Sequence, residues 1–225
     1  MNSSFWDFSK PTFFNITFWI LASFLILALI SVIIWRIVSR NDIRVKKQVG
    51  TLSKKMNNIV LDLSANKDFQ IIYNIVFKNK YAKENYSLLP ILIIHKKNVF
   101  LISNLIEINE KYNLTVNDDL SLSLIDKTNA NKIKDYKSIS LKWYREIEKY
   151  INRELIKDIK LTKIALLSNE VEIVENKSDF IFANIWNLSN VIAKNTGESN
   201  LLEYDLMKMV EKLNASNMHK MKVNK

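Results

Sequence analysis

The chain has no cysteine, and only two glycines, two prolines and two histidines among its 225 residues. Without cysteine there is no disulfide, thiolate nucleophile, Cys-ligated zinc, iron–sulfur cluster or acylated lipoprotein cysteine. Gly50 and Gly197 stand alone, which excludes a phosphate loop or a GxGxxG turn, since both need clustered glycines for close backbone approach. His95 falls in a predicted turn and His219 in a polar tail, so a histidine-based metal centre has no support. A Ser/His/Asp arrangement would depend on His95, and there is no G-x-S-x-G elbow to serve it. Asp118-Asp119 and the pair Glu107/Glu110 leave carboxylate-only Mg²⁺ binding open, against the simpler reading of solvated loop acids. The expectation is therefore no cofactor, no metal ligand and no catalytic residue.

What the chain does have is one long uncharged run. Phe13 to Trp35 is 23 residues without a charge, a glycine or a proline. At about 1.5 Å per residue a helix of that length spans the roughly 30 Å hydrocarbon layer. It exceeds the apolar core of a signal peptide, its leading segment carries Asp7 as well as Lys10, and no A-x-A site follows. The expectation is an uncleaved transmembrane helix. Trp6, Phe8, Trp19 and Trp35 supply aromatic rings for the two interfaces, while Asn15, Ser23 and Ser31 can bond within the helix or to a neighbour.

Flanking charge sets the expected orientation. Arg36, Arg40, Arg44, Lys46 and Lys47 follow the run, against Lys10 before it. The positive-inside rule then places residues 1–12 outside the cell and the remaining mass in the cytoplasm. Arg36, Arg40 and Arg44 recur at i, i+4 and i+8, and with Lys47 they form a basic ridge suited to lipid headgroups, at about 1 kcal/mol per charge. Solvated positive-inside residues are the simpler reading. Net charge is +10, which suits anionic lipid or nucleic acid, although heavy Lys, Asn and Ile usage also fits an AT-rich coding sequence.

A juxtamembrane helix is expected over residues 36–63, and on it Val45, Val49, Leu52, Met56, Ile59 and Leu63 follow one another in steps of four and three, a heptad-like stripe suited to a short coiled coil. Two readings compete. The stripe packs on the chain's own domain, or it pairs two copies in a parallel homodimer just inside the membrane.

Residues 64–214 read as one mixed α/β domain with a small central mixed sheet flanked by helices. Strands are predicted at Phe69–Phe77, Leu88–Ile94, Val99–Ile102, Leu120–Ile125, Lys160–Leu167, Val171–Val174 and Phe180–Phe182. Pro90 inside an apolar strand predicts an edge position or a bulge. His95-Lys96-Lys97-Asn98 predicts a tight hairpin turn. Glu107 to Asp119 reads as irregular. Helices are predicted over Ile139–Ile156, capped by Ser138, over Trp186–Lys194, with Asn187 as a cap, and over Leu201–Leu213. Residues 215–225 read as a basic disordered tail. Lys142, Trp143, Tyr144, Arg145, Lys149 and Tyr150 give the long helix a superficially nucleic-acid-like face, diluted by Glu146, Glu148 and Glu154.

The stretch LLPILIIHKKNVFLISN, with the helix, strand and SDFIFANIWNLSNVIA segment after it, resembles the NERD (nuclease-related) domains, which look like the restriction-endonuclease fold. The resemblance covers roughly residues 45–195 and rests on hydrophobic pattern and element order. It implies an Asp in the first hairpin strand and a Glu-x-Lys at the end of the second, which together hold Mg²⁺ and position a lysine near the attacking water. In this chain Pro90 takes the Asp position, Ser103 the Glu position and Leu105 the Lys position. The resemblance thus implies a degenerate, non-cleaving member. The expected function is a membrane-anchored interaction or scaffold module, with an unidentified protein partner or a larger membrane complex. A membrane-tethered nucleic-acid binder is the alternative.

Overall fold

A computed structural model of the chain describes residues 13–49, 52–83, 85–136, 141–157, 159–199 and 201–218. The chain divides into two compact units, Met1–Gln48 and Val49–Lys225.

The first unit is built on one helix, α1, Phe13–Val49. Nothing in its sequence interrupts it, since no proline or glycine falls inside. Within it Ile16–Ile37, 22 residues with a mean hydropathy of 2.7, is long and apolar enough to cross a membrane, and none of it is buried inside the protein. Ser23 Oγ donates to the Trp19 carbonyl at 2.7 Å and Ser31 Oγ to the Leu27 carbonyl at 2.8 Å. Both hydroxyls are thus satisfied four residues back on their own helix, so neither needs a neighbour or water.

The second unit opens with α2, Lys54–Ser64, whose N-cap Ser53 accepts from the Met56 amide at 3.2 Å. Met56, Ile59, Val60 and Leu63 are buried on one face of α2, the i, i+3, i+4, i+7 set that an amphipathic helix turns to a core. The Ser64-Ala65-Asn66 break holds, and the chain enters a five-stranded mixed sheet. Its strands are β1 (Gln70–Lys78), β2 (Tyr86–His95), β3 (Asn98–Ile102), β7 (Leu161–Leu167) and β9 (Ile181–Asn184), in the order β1-β2-β3-β7-β9. The first three form an antiparallel meander; β7 joins β3, and β9 joins β7, in parallel. Between β3 and β7 the chain makes α3, Lys142–Tyr150, which continues as a π-helical turn, Ile151–Leu155.

The expectation of one small sheet is corrected by a second. Strands β4 (Tyr112–Val116), β5 (Leu122–Asp126), β6 (Asn129–Tyr136) and β8 (Ile173–Asn176) make a four-stranded mixed sheet in the order β6-β5-β4-β8. Part of the stretch expected to be irregular, Glu107 to Asp119, is strand β4. Its Leu114 and Val116 are fully buried, and their alternation with Asn113 and Thr115 is the period-2 signal that polar neighbours obscured. β6, NANKIKDY, has almost no apolar character and is held by pairing with β5. Helices α4 (Leu188–Lys194) and α5 (Glu203–Ser216) complete the unit. The expected Asn187 side-chain cap is absent; Asn187 instead exchanges hydrogen bonds with Asn184 at 2.9 Å each. The predicted cap Ser138 lies outside the described residues.

The five-stranded sheet has a core on each face. Leu52, α2, α4 and β-residues such as Ile91, Ile93, Phe100 and Ile102 form one. The other gathers Leu92, Leu101 and Ala165 with α3, α5 and the inner residues of the second sheet. Two buried faces explain why β2 reads as a continuous apolar run.

Pro90 is not on an edge: β2 lies between β1 and β3. The ladder omits the Asn74–Pro90 pair, and Asn74 opposite has φ +54°. Leu89 and Ile91 face opposite cores, as the two cores' memberships show, so the alternation slips by one residue at Pro90. A local irregularity thus absorbs the missing N–H.

Candidate functional site

Two of the three positions that the NERD resemblance singles out, Pro90 and Ser103, lie side by side. The β2–β3 register pairs Ile91 with Ile102, so Pro90 and Ser103 are the next residues along and face each other just past the end of the ladder. Their side-chain chemistry is used up in holding the sheet. Ser103 is fully buried; its hydroxyl donates to the Asn104 carbonyl at 2.7 Å and accepts from the Leu166 amide at 2.9 Å, tying β3 to β7. Leu105 is buried in the α2-side core. None of the three is a carboxylate or an amine, and a divalent cation held by hard oxygen ligands needs charged oxygens.

The other sequence-flagged groups have local roles. His95 is the last residue of β2, where it pairs with Asn98 and so opens the expected hairpin turn. It is buried, with Nδ1 3.2 Å from the Asp68 carbonyl and its ring edge-on to Phe69 at 5.1 Å. Asp119 accepts from the Ser121 amide at 2.9 Å, and hydrogen bonds from Ser121 hold its carboxyl below the usual aspartate range. Asp118 lies 3.7 Å from Lys177, and Glu107 pairs with Lys55 at 2.6 Å. Among the described residues, no three His, Cys, Asp or Glu side chains converge where they could hold a metal ion. His219 lies outside the described residues.

The stripe of six apolar residues is divided between the two units. α1 ends at Val49 and α2 begins at Lys54, with Leu52 and Ser53 outside any helix, so no continuous helix carries the seam. Leu52, Met56, Ile59 and Leu63 are all buried in the core of the second unit. Leu52 is further fixed by its amide, which donates to Asn74 Oδ1 at 3.5 Å. Packing on the chain's own domain is therefore what these four residues do, and they are not free to pair with a second copy. Val45 and Val49 lie on the helical backbone of α1; their side chains, with those of Arg40, Arg44 and Lys47, fall outside the described residues. Arg36 is described and exposed.

Among the described residues an electrostatic cluster joins Arg145 and Glu148, which the sequence analysis placed on the long helix, to buried Lys163 and to Asp179, which it did not single out. Lys163 on β7 is 4% exposed, and its Nζ is 2.5 Å from Glu148 of α3 and 2.5 Å from Asp179 in the β8–β9 loop. It lies over the Phe180 ring at 5.7 Å, and Arg145 reaches Asp179 at 3.8 Å. Partial burial pushes the Asp179 carboxyl up, but the hydrogen bond and charge of Lys163, with Arg145, outweigh it and hold the group below its ordinary value. Next to it Tyr144 is buried, and its hydroxyl accepts from the Asn104 amide at 2.9 Å. Burial pushes that phenol far above its ordinary value, against a smaller opposing effect of the Asn104 bond. Chemically the cluster is a clamp. The chain's own ammonium neutralises the two carboxylates that a cation would need, and joins α3, β7 and the β8–β9 loop. A signal for it existed. Lys163 stands at i+2 from Leu161 and i−2 from Ala165, on the inward face of an apolar strand, where a lysine needs a partner.

On α3, Tyr144 and Ile147 face the core, while Lys142, Trp143 and Lys149 are exposed. A groove of about 790 Å³ runs beside β6, lined by Ile108, Tyr112, Leu124, Lys134 and Tyr136, with Ile133 63% exposed at its rim. Comparison of the chain with protein-family profiles, with curated proteins and with solved structures finds no match.

Proposed function

We propose that the chain is a single-pass membrane protein with its N-terminus outside and its α/β unit at the cytoplasmic face, where that unit works as a non-catalytic interaction or scaffold module, alone or as a subunit of a membrane complex. The observation that carries the non-catalytic part is the state of Pro90, Ser103 and Leu105. At the positions where the NERD resemblance expects two acids and a lysine, the chain places packed or hydrogen-bonded neutral groups. The nearby charges of Glu148 and Asp179 are engaged by Lys163. The degenerate-NERD reading is itself supported by element order. A helix precedes a three-stranded antiparallel meander, and a helix leads on to a strand parallel to the third. The anchor is supported by the exposed apolar length of Ile16–Ile37.

The test is purification of the full chain from detergent-solubilised membranes, beside a chain lacking residues 1–36. The full chain is expected in the membrane fraction with a stoichiometric protein partner, and the truncated chain in the soluble fraction. Metal-dependent turnover of nucleic acid by the purified full chain would overturn the non-catalytic part, and protease digestion of the α/β unit from outside intact cells would overturn the orientation.

A second reading, a membrane-tethered nucleic-acid binder, is favoured by the net charge of +10 and by half-exposed Trp143 beside Lys142 and Lys149 on α3. It expects affinity that falls steeply with salt; no retention of nucleic acid on a filter at about 50 mM salt removes it.

A further inference from the structure

At the end of the five-stranded sheet opposite Ser103, the β2–β3 hairpin turns through Lys96 and Lys97 and a strap of chain lies over it. The turn is two residues long, closed by the His95–Asn98 pair, and both lysines have left-handed backbone, φ +46° and +64°. That is the geometry that ordinarily takes Asn-Gly, and lysine adopts it at a cost of roughly 1 kcal/mol or more per residue. Strain of this kind persists where surrounding structure holds it in place. Here the α4–α5 strap does so: Asn98 Nδ2 donates to the Gly197 carbonyl at 2.8 Å and Ser199 Oγ to the Lys97 carbonyl at 2.9 Å.

Between turn, strap and the start of β7 is a cavity of about 380 Å³. Lys97 lines it from the turn, and Lys160 and Thr162 from β7 and its approach. Neither lysine has a carboxylate oxygen within 4 Å among the described residues, although Glu198 stands on the same rim. The Thr162 hydroxyl has no hydrogen-bond partner among the described residues either. Two ammonium groups that share one concave, partly enclosed space repel each other, and the field between them favours an anion. The contrast with Lys163 is direct. There two carboxylates touch the ammonium; here Lys97, Lys160 and the Thr162 hydroxyl line the cavity with Glu198, and among the described residues no carboxylate comes within 4 Å of either lysine.

We propose that this cavity is a binding site for a phosphate group, held by Lys97 and Lys160 with Thr162 donating to a phosphate oxygen. The shared chemistry is a phosphomonoester or inorganic phosphate dianion. It fits a compact tetrahedral anion that takes point charges from lysines rather than the flat fork of an arginine. The inference does not depend on the interaction-module reading.

The test uses the full chain in a non-ionic, phosphate-free detergent. One arm titrates inorganic phosphate by calorimetry; a second titrates mixed micelles containing phosphatidic acid, a phosphomonoester lipid. The wild-type chain is expected to bind at least one of them with Kd of about 1 mM or tighter. The double variant Lys97→Asn, Lys160→Gln, in which Asn suits the left-handed backbone, is expected to bind at least tenfold more weakly. Lys160→Gln alone, which leaves the turn intact, is expected to lose severalfold and keeps the test open should the double variant misfold. Lys132→Ala with Lys134→Ala removes two equal charges from β6 and is expected to leave affinity unchanged. Binding in the first arm identifies free phosphate as a source, and lysine-dependent binding in the second arm alone identifies a lipid headgroup; either supports the site. No binding in either arm, equal binding by the Lys160→Gln variant, or equal weakening by the β6 control overturns it.

Discussion

Two apolar runs of the same chain meet opposite fates. Phe13–Trp35 and Leu88–Ile94 are both built from Ile, Leu and their relatives, with one proline in the second. In α1, Leu25 is 64% exposed; in β2, Ile91 is 0% exposed. The difference lies in how each run satisfies its backbone. The helix bonds its own peptide groups and can present apolar side chains all round, which suits lipid. The strand must borrow hydrogen bonds from β1 and β3, so it exists only inside a sheet, and the sheet's two faces then cover it. Side-chain hydrophobicity is therefore similar in both places, and backbone self-sufficiency decides whether a run can stand exposed as a lone helix or must be closed inside a sheet.

The comparison can be broken by charge. Leu92→Asp is expected to unfold the second unit, with a loss above about 4 kcal/mol, because a carboxylate would sit unpaired in a closed core. Chemical denaturation of the full chain in detergent, followed by near-UV circular dichroism, reads it. Leu25→Arg is expected to leave that transition in place and to remove chain from the membrane fraction, at a cost of about 3 kcal/mol of insertion free energy. Equal effects of the two substitutions on the denaturation midpoint would show that α1 belongs to the folded core.

A smaller contrast separates two ion pairs. Lys163→Met leaves Glu148 without its buried partner and is expected to lower stability by about 1–3 kcal/mol. Lys55→Ala breaks the exposed pair with Glu107 and is expected to change it by less than about 0.5 kcal/mol. Urea midpoints measured side by side give both values.

The smallest effect is pH-dependent. The folded-state carboxyl of Asp179 lies below its unfolded value, so its contribution to stability is present above the unfolded pKa of about 3.9 and is lost as pH falls through the lower folded value. The wild-type chain is expected to melt above Asp179→Asn at pH 7, with the gap closing as the pH is lowered past the ordinary aspartate range. A gap that persists unchanged in acid would remove the Lys163 clamp as its cause.

Much of the fold was legible from the residues. The helix break at Ser64-Ala65-Asn66, the strands β1, β2, β3 and β7, the turn at Lys96-Lys97 and the helix α5 all announced themselves through apolar period or turn position. The second sheet did not. β6 carries Ile133 among Asn, Lys and Asp residues and holds its strand geometry through β5, a partner no local window contains. The six-residue stripe illustrates the same limit in reverse. Its spacing was real, but a repeat of four and three suits a helix packed on a sheet as well as a helix packed on its twin, and only the position of Leu52 to Leu63 against Ile91 and Phe100 separates them. The cavity beside Lys97 was equally hidden, because Lys160 and Ser199 stand 63 and 102 residues from that turn in sequence.

By itself the sequence determined that a long uncharged run precedes a cysteine-free, glycine-poor stretch of α/β pattern, and that no clustered glycines, cysteines or paired histidines are there to build a phosphate loop or a metal centre. These follow from composition and local order, which need no partner. Only the tertiary structure decided that Leu52, Met56, Ile59 and Leu63 of the stripe are spent on the chain's own core, that Lys163 is answered by Glu148 and Asp179, and that Lys97 and Lys160 have no carboxylate within 4 Å among the described residues. Charge and burial are properties of neighbours in space, and neighbours in space are what strand pairing, not chain order, supplies.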